Sequence, residues 1–355
     1  MAWATPQYSK SQIDAAGSIL VADDFPRVDA TGEVIGDHSL VLQIEQAFAI
    51  INNWRSSHSF PLNTLQIGLR RLSKQVDPNS LVAQRIKRLS SIELKLRRFS
   101  TMKLSQMQDI GGCRAVVRSV RDVDALLIVS LYRGSNIKHK LDHVDDYIRK
   151  PQRSGYRGVH LIYRYNSDRK TTYNGLKIEM QLRSPLQHAW ATAVETVGTF
   201  IRQALKSSRG EADWLRFFSL MGSALARREG TALVPDTPSS NRDLVRELRK
   251  VARQLDVEGR LTSYGAALQT LERPSAKQAQ AHYFLLALDP GARSVAITGF
   301  RSNELEKANN EYLATERRGA DAVLVSVESL ALLRRAYPNY FLDTRVFLDA
   351  LRRAI

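Results

Sequence analysis

Two-residue apolar alternation in several short segments, set among longer stretches with three- and four-residue spacing, predicts an α/β (α+β) protein. The expected architecture is a mixed sheet flanked by helices, followed by a small C-terminal α+β module. A length of 355 residues allows one large domain and a smaller one, and 43% hydrophobic with 25% charged residues suits a buried core.

In chain order, residues 7–75 read as helical, with Ile13, Ala16 and Ile19 and then the run Leu40 to Trp54 at helical spacing. Ala22 to His38, between them, is irregular. A basic helix is predicted from about Leu81 to Phe99, with Leu81, Ile86, Leu89, Ile92 and Leu96 inward. Strands follow at Cys113–Val120, Gly158–Tyr165 and Leu176–Arg183, with helices at Val123–Tyr132 and Leu186–Ala204. Residues 205–280 are mostly helical around a loose joint at Pro235–Asn241. A hairpin is expected from Tyr283–Leu288 and Ser294–Phe300 across Pro290-Gly291. A helix at Asn303–Arg318, a strand at Ala322–Ser326 and two helices around Tyr337-Pro338-Asn339-Tyr340 complete the chain. The expected division is 1–205, a helical linker over 206–275, and a C-terminal module over 276–355.

No segment reaches the roughly 18 to 20 apolar residues of a membrane-spanning helix, and Met1–Leu20 lacks a secretory pattern. The single cysteine, Cys113, excludes an internal disulfide and a cysteine-clustered zinc site. A cytoplasmic protein without zinc is expected. The formal net charge is +16, and residues 1–230 carry 34 Lys and Arg against 21 Asp and Glu. Such a surplus attracts polyanions such as nucleotides and RNA, though a solvated surface explains it as simply.

Four clusters carry candidate chemistry. On the strand Leu176–Arg183, alternation sets Ile178, Met180 and Leu182 on one face and Lys177, Glu179, Gln181 and Arg183 on the other. Glu179 there suits a base or metal ligand, or else a solvated charged face. Asp109 enters a strand five residues before Arg114, a pattern in which the acid can hold Mg²⁺ while the arginine binds phosphate. Arg85, Lys87, Ser91 and Lys95 gather cations near a helix start, or form an ordinary basic helix. The loop Asp145–His160 presents Tyr156 among Arg153, Arg157 and His160, fit for stacking on a base.

Taken in order, these read Arg-x-Lys-x-x-x-Ser-Ile-x-x-Lys, Asp-x-x-x-x-Arg, Asp-Tyr-Ile-x-x-Pro-x-x-x-Gly-Tyr-x-x-x-His and Ile-Glu-x-Gln-x-Arg. Over roughly residues 50–205 this series resembles the RelA/SpoT synthetase domain. The resemblance implies a nucleotidyltransferase-like sheet that moves the β,γ-pyrophosphate of ATP to a ribose 3′-hydroxyl. It further implies ATP binding by Arg85, Lys87, Ser91, Lys95 and Arg114, and Mg²⁺ on Asp109. Glu179 would be general base or second metal contact. Tyr156, His160, Arg153, Arg157 and Gln181 would serve the acceptor. Gln152 stands where many members have lysine, which hints against a small guanine nucleotide.

The chain shows no hydrolase half, and its C-terminal module resembles the pseudo-zinc-finger antitoxin of the CapRel type of fused toxin–antitoxin. That resemblance implies that Tyr337 and Tyr340 occupy the ATP site. It also implies release by a phage structural protein, commonly the major capsid protein, with Leu285, Leu286 and Val323 as exposed contacts. Toxic relatives modify the 3′-terminal adenosine of tRNA and stop translation, and the basic charge suits that acceptor. Trp54, Arg55, His58, Arg70 and Arg71 are expected to touch RNA. The alternatives are a (p)ppGpp or (p)ppApp alarmone synthetase and a non-catalytic nucleotide- or RNA-binding module.

Overall fold

A computed structural model describes residues 3–22, 38–132, 139–204, 209–267, 281–289, 294–318, 321–326, 333, 335, 337–338 and 343–355. Three helices lead the chain: α1 (Lys10–Leu20), α2 (His38–Ser57) and α3 (Ser59–Val76). They are followed by β1 (Leu81–Ile86), α4 (Leu89–Arg98), β2 (Gly111–Val116), α5 (Val120–Tyr132), β3 (Lys140–Asp146), β4 (Val159–Arg164) and β5 (Lys177–Arg183). Four helices come next: α6 (Pro185–Ala204), α7 (Arg209–Glu229), α8 (Asn241–Gln254) and α9 (Val257–Ala267). The C-terminal segment adds β6 (Tyr283–Asp289), β7 (Ser294–Phe300), α10 (Leu305–Arg317), β8 (Asp321–Ser326) and α11 (Arg345–Ala354).

The expected mixed α/β architecture is present. Eight strands make one sheet in the order β3-β4-β5-β2-β1-β8-β6-β7. β2 and β5 run parallel, which sets Gly112 beside Glu179 and Arg114 beside Gln181. β8 lies antiparallel to β1 through Gln84–Ser326 and Arg85–Val325, so the C-terminal strands continue the sheet that carries the candidate residues.

One apolar core covers the face of β5 that carries Ile178, Met180 and Leu182, against Leu62, Leu65, Leu69 and Leu72 of α3 and Val123 and Leu126 of α5. Approach is close there, because a Cβ on Gly111 would stand 2.8 Å from Ile178 Cδ1. A second core joins α6, α7, α8, α9 and α11 through Trp190, Phe217, Phe218, Leu244, Leu248, Val257, Leu261, Phe347 and Leu351. A third packs Leu305, Ala308 and Tyr312 of α10 on Tyr283, Leu285, Ala322 and Leu324.

Several expectations need correction. The helix expected over 81–99 is a strand followed by a shorter helix, because Leu81–Ile86 hydrogen-bonds to β2 on one side and β8 on the other. Only Ile92 and Leu96 are buried on α4, and the earlier apolar positions belong to the strand. β3 has no counterpart in the sequence reading, which placed only its last two residues, Asp145 and Asp146, in a loop; among the described residues it pairs only with β4, and an edge strand tolerates the polar run Lys-Leu-Asp-His-Val-Asp-Asp. Leu285, Leu286 and Val323 are not exposed contacts, since all three are buried within the sheet. The Pro290-Gly291 turn and most of Ala22–His38 lie outside the described residues.

Candidate active site

Glu179, Gln181 and Arg183 project from β5 on the side away from the apolar core, as strand alternation requires. Beside them β2 brings Gly112 and Arg114, and the turn before it brings Asp109; β1 and its end add Arg85 and Lys87. Lys95 comes from α4, His160 from β4, Tyr147, Gln152 and Tyr156 from the β3–β4 connection, and Glu195 from α6. Together these line a cleft of about 410 Å³, within the size class of small-ligand sites.

Two carboxylates sit in this cleft with different partners. Asp109 accepts from Lys87 Nζ at 2.7 Å and Lys95 Nζ at 2.9 Å. Burial pushes its pKa up, but the two ammonium groups outweigh burial and hold it at about 2. Glu179 accepts from His160 Nδ1 at 2.9 Å and from Gln181 Nε2 at 2.7 Å. Burial again opposes its charge, and the His160 bond keeps the carboxyl below its ordinary value. Burial lowers His160, yet Tyr156 and Glu179 together raise it to about 9, so the ring is an imidazolium at neutral pH. Its Nε2 meets the Tyr156 hydroxyl at 2.5 Å, and Arg183 donates to the same oxygen at 3.0 Å.

Arg183 is 5% exposed, and its Nε and Nη1 are buried without a hydrogen-bond partner. Donors held this way suit an anionic oxygen such as phosphate. Burial and the neighbouring Arg183 bring Arg114 down to about 10. Glu195 faces this cation group from α6; burial raises its carboxyl, but Arg85 and Arg114 draw it below the ordinary value. Glu195 thereby offsets the repulsion among guanidinium groups. Sequence reading passed over it, although a lone charge in the Trp190–Val197 stretch, among apolar residues and two threonines, is a signal of buried charge.

Of the sequence candidates, Arg85, Lys87, Lys95, Asp109, Arg114, Tyr156, His160, Glu179 and Gln181 share the cleft. Ser91 stands half-buried in the first turn of α4 and is not among the lining residues. Arg153 points to solvent and pairs with Asp236 at 2.9 Å. Arg157 is buried and holds Glu229 at 2.7 Å, so it anchors the loop from behind. Gly155 sits between these two at φ +96°, where a Cβ would fall 2.4 Å from Phe218 O.

The C-terminal segment closes one side of the cleft. Tyr337 is buried, donates its hydroxyl proton to Gln84 O at 2.7 Å, and lies under the Arg114 guanidinium at 5.7 Å. Burial pushes its phenol up to about 12. Tyr340 lies outside the described residues. Further along, Glu316 of α10 pairs with Arg55 Nη1 at 2.8 Å and accepts from Leu89 N, the first residue of α4, at 3.0 Å. It thus caps a helix whose own N-cap, Arg88, supplies no side-chain bond. Arg55 also donates to Tyr312, the hydroxyl of α10, and to Lys87 O. This corrects the expectation that Trp54, Arg55 and His58 face RNA: all three are buried, Arg55 by its ion pair with α10.

Residues 84–198 match the family model described as a region found in RelA / SpoT proteins. This segment is similar to the RelA/SpoT synthetase domain. This chain is similar to GTP pyrophosphokinase YjbM of Bacillus subtilis, 31% identical over 130 residues that make 35% of this chain. The chain spans 60% of YjbM's own length. GTP pyrophosphokinase YwaC of the same organism is 24% identical over 166 residues, 43% of this chain and 78% of that protein. Among solved structures, small alarmone synthetase 1 of B. subtilis bound to its product pppGpp aligns over 51% of this chain and 91% of its own, with 23% identity and a TM-score of 0.41.

The matched region ends within α6, so the helices from α7 onward and the C-terminal strands lie beyond it. Asp109 and Glu179 fit a Mg²⁺ ion chemically, since both are ionised and line one cleft. Among the described residues there is no group of three or more His, Cys, Asp or Glu suited to a metal. Two carboxylates agree with a cation that completes its shell from substrate phosphates and water. No described helix is long and apolar enough to cross a membrane.

Proposed function

We propose that this protein is an ATP-dependent pyrophosphotransferase whose acceptor is the ribose 3′-hydroxyl at the end of a tRNA, and that its C-terminal segment restrains it. The observation that carries the reading is the pairing of Glu179 with the His160 imidazolium inside a cleft where Asp109 and five cations also converge. Arg85, Lys87, Lys95, Arg114 and Arg183 neutralise the polyphosphate. Asp109 would hold a Mg²⁺ ion, which would supply further charge neutralisation. Glu179 takes the proton of the 3′-hydroxyl. The freed oxygen bonds to the β-phosphorus, the bond from that phosphorus to the α,β-bridging oxygen breaks, and AMP leaves. His160 and Tyr156 hold Glu179 in place beside the acceptor.

In this reading residues 1–205 catalyse, 206–275 link, and 276–355 control. Tyr337 against Arg114 and Glu316 at the start of α4 support control, because both take positions suited to donor phosphates. Release by a phage structural protein rests on the likeness of the C-terminal module to the CapRel type, and a cytoplasmic setting on the single cysteine. An acceptor of tRNA is supported by the basic surplus of residues 1–230 and by Gln152 on the cleft wall.

A second reading is favoured by one observation: the named relatives are GTP pyrophosphokinases, so a guanine nucleotide is the competing acceptor. Label transfer from γ-³²P-ATP separates the two. The full chain and a Tyr337→Ala variant are offered deacylated tRNA, GDP, GTP and AMP side by side. Label at the tRNA 3′ end, lost in Glu179→Gln, is expected. Label on a nucleotide with tRNA untouched makes the protein an alarmone synthetase instead.

A further inference from the structure

Helix α8 carries a line of cations that the chemistry above leaves unused. Arg242, Arg246, Arg249, Lys250 and Arg253 are all exposed, while Leu244, Leu248 and Ala252 on the opposite side are buried. Positions 242, 246, 249/250 and 253 recur once per helical turn and span about 16 Å. Acidic relief is slight. Asp243 pairs with Arg246 at 2.6 Å, and Glu247 is turned aside to Arg216 at 2.7 Å. Arg249 donates to Ile355 O at 2.6 Å, and Arg242, Lys250 and Arg253 make no ion pair among the described residues.

The line starts beside the cleft. Asp236, five residues before α8, pairs with Arg153, the neighbour of the cleft-lining Gln152. Arg216 fixes the same turn by donating to Asp236 O at 2.7 Å. A mononucleotide would end inside the cleft and never reach α8. A polynucleotide entering past Gln152 by its 3′ end would continue outward along it. Four of the five cations are arginine, whose planar fork matches phosphate. The stripe has no exposed apolar anchor of the kind a protein interface needs, and the apolar side of α8 is already buried, so it cannot lie in a bilayer.

We propose that this stripe is a docking track for the phosphate backbone of an RNA acceptor, guiding its 3′ end to Glu179. The inference rests on the tRNA reading and names the surface it requires. The test uses the full chain and the variant Arg242→Ala/Arg246→Ala/Lys250→Ala/Arg253→Ala, with Arg249 retained because it holds the chain end. Binding of fluorescein-labelled deacylated tRNA is followed by anisotropy between 50 and 200 mM salt. The variant should bind at least about tenfold more weakly, with a log K against log salt slope shallower by about 3, as expected for four lost phosphate contacts. Its melting temperature should match wild type. Equal affinity and slope in the two proteins overturns the track while leaving the acceptor reading intact. Failure of wild type to bind tRNA overturns both. Loss of binding to phosphatidylglycerol vesicles with unchanged tRNA binding also overturns it, in favour of a lipid surface.

Discussion

In the half of the cleft proposed to bind the donor, the residues around Arg85, Lys87 and Arg114 are braced by partners far along the chain. Tyr337 bonds to Gln84, Glu316 to Leu89 N, and Glu316 to Arg55, across separations of 253, 227 and 261 residues. In the acceptor half the braces are local. Tyr156 bonds to His160 four residues on, Arg183 to Tyr156 across 27, and Arg157 to Glu229 across 72. The difference separates two tasks. Under the proposed control, a signal that moved the C-terminal segment would alter the donor half, while Glu179, His160 and Tyr156 would keep their geometry. In that reading, readiness and control are carried by different bonds in one cavity.

The largest expected effect tests the acceptor half at its centre. Glu179→Gln keeps the side-chain shape but removes the base, and label transfer should fall about 10³-fold, about 4 kcal/mol in barrier. A loss below tenfold would remove Glu179 from the chemistry. Next comes the brace behind the loop: Arg157→Met leaves the buried Glu229 without its cation, held only by neutral Ser184 and Gln187, and should destabilise the fold by about 3 kcal/mol, read by urea unfolding. An unchanged midpoint would mean that Ser184 and Gln187 suffice to hold Glu229.

The donor half should respond in the opposite sense. Glu316→Gln or Tyr337→Ala should raise basal transfer by about tenfold, about 1.4 kcal/mol in the closed-to-open balance. A drop in activity without loss of stability would assign these residues to catalysis, and the comparison would fail. The smallest effect is in pH. The folded pKa of His160, about 9, lies above its unfolded value near 6.5, so its contribution to stability is whole below about 6.5 and is lost as pH rises through about 9. Melting temperature should decline over that window in wild type and less so in His160→Gln. Parallel profiles would show that the imidazolium does not hold the acceptor half together.

Much of this was legible in the sequence, and the misses have physical causes. Alternation along β5 separated Glu179, Gln181 and Arg183 from the apolar residues, because a strand bordered by a core on one face must sort its side chains. β1 escaped because Arg85, Lys87 and Arg88 make it look like the start of a basic helix; its strand character comes from β2 and β8, which no local window contains. Arg55 was misread for the same reason, as a surface cation, since the carboxylate that buries it is on α10. Arg157 looked like an acceptor ligand by its place near Tyr156, and only the tertiary pairing with Glu229 reveals an anchor. Glu195 was hidden among apolar neighbours until the sheet set it before four arginines.

The two-residue seam between β1 and β8 has a consequence for the lifetime of an opened molecule. If β8 departs, the outer N–H and C=O groups of β1 lose their partners in the middle of what had been a continuous sheet. Unpaired strand edges recruit other strands and favour aggregation. The same event that uncovers Arg85 and Arg114 would therefore expose a sticky border. Activation would carry its own clock: a chain once opened either reseals by pairing β8 again or is lost to self-association and proteolysis.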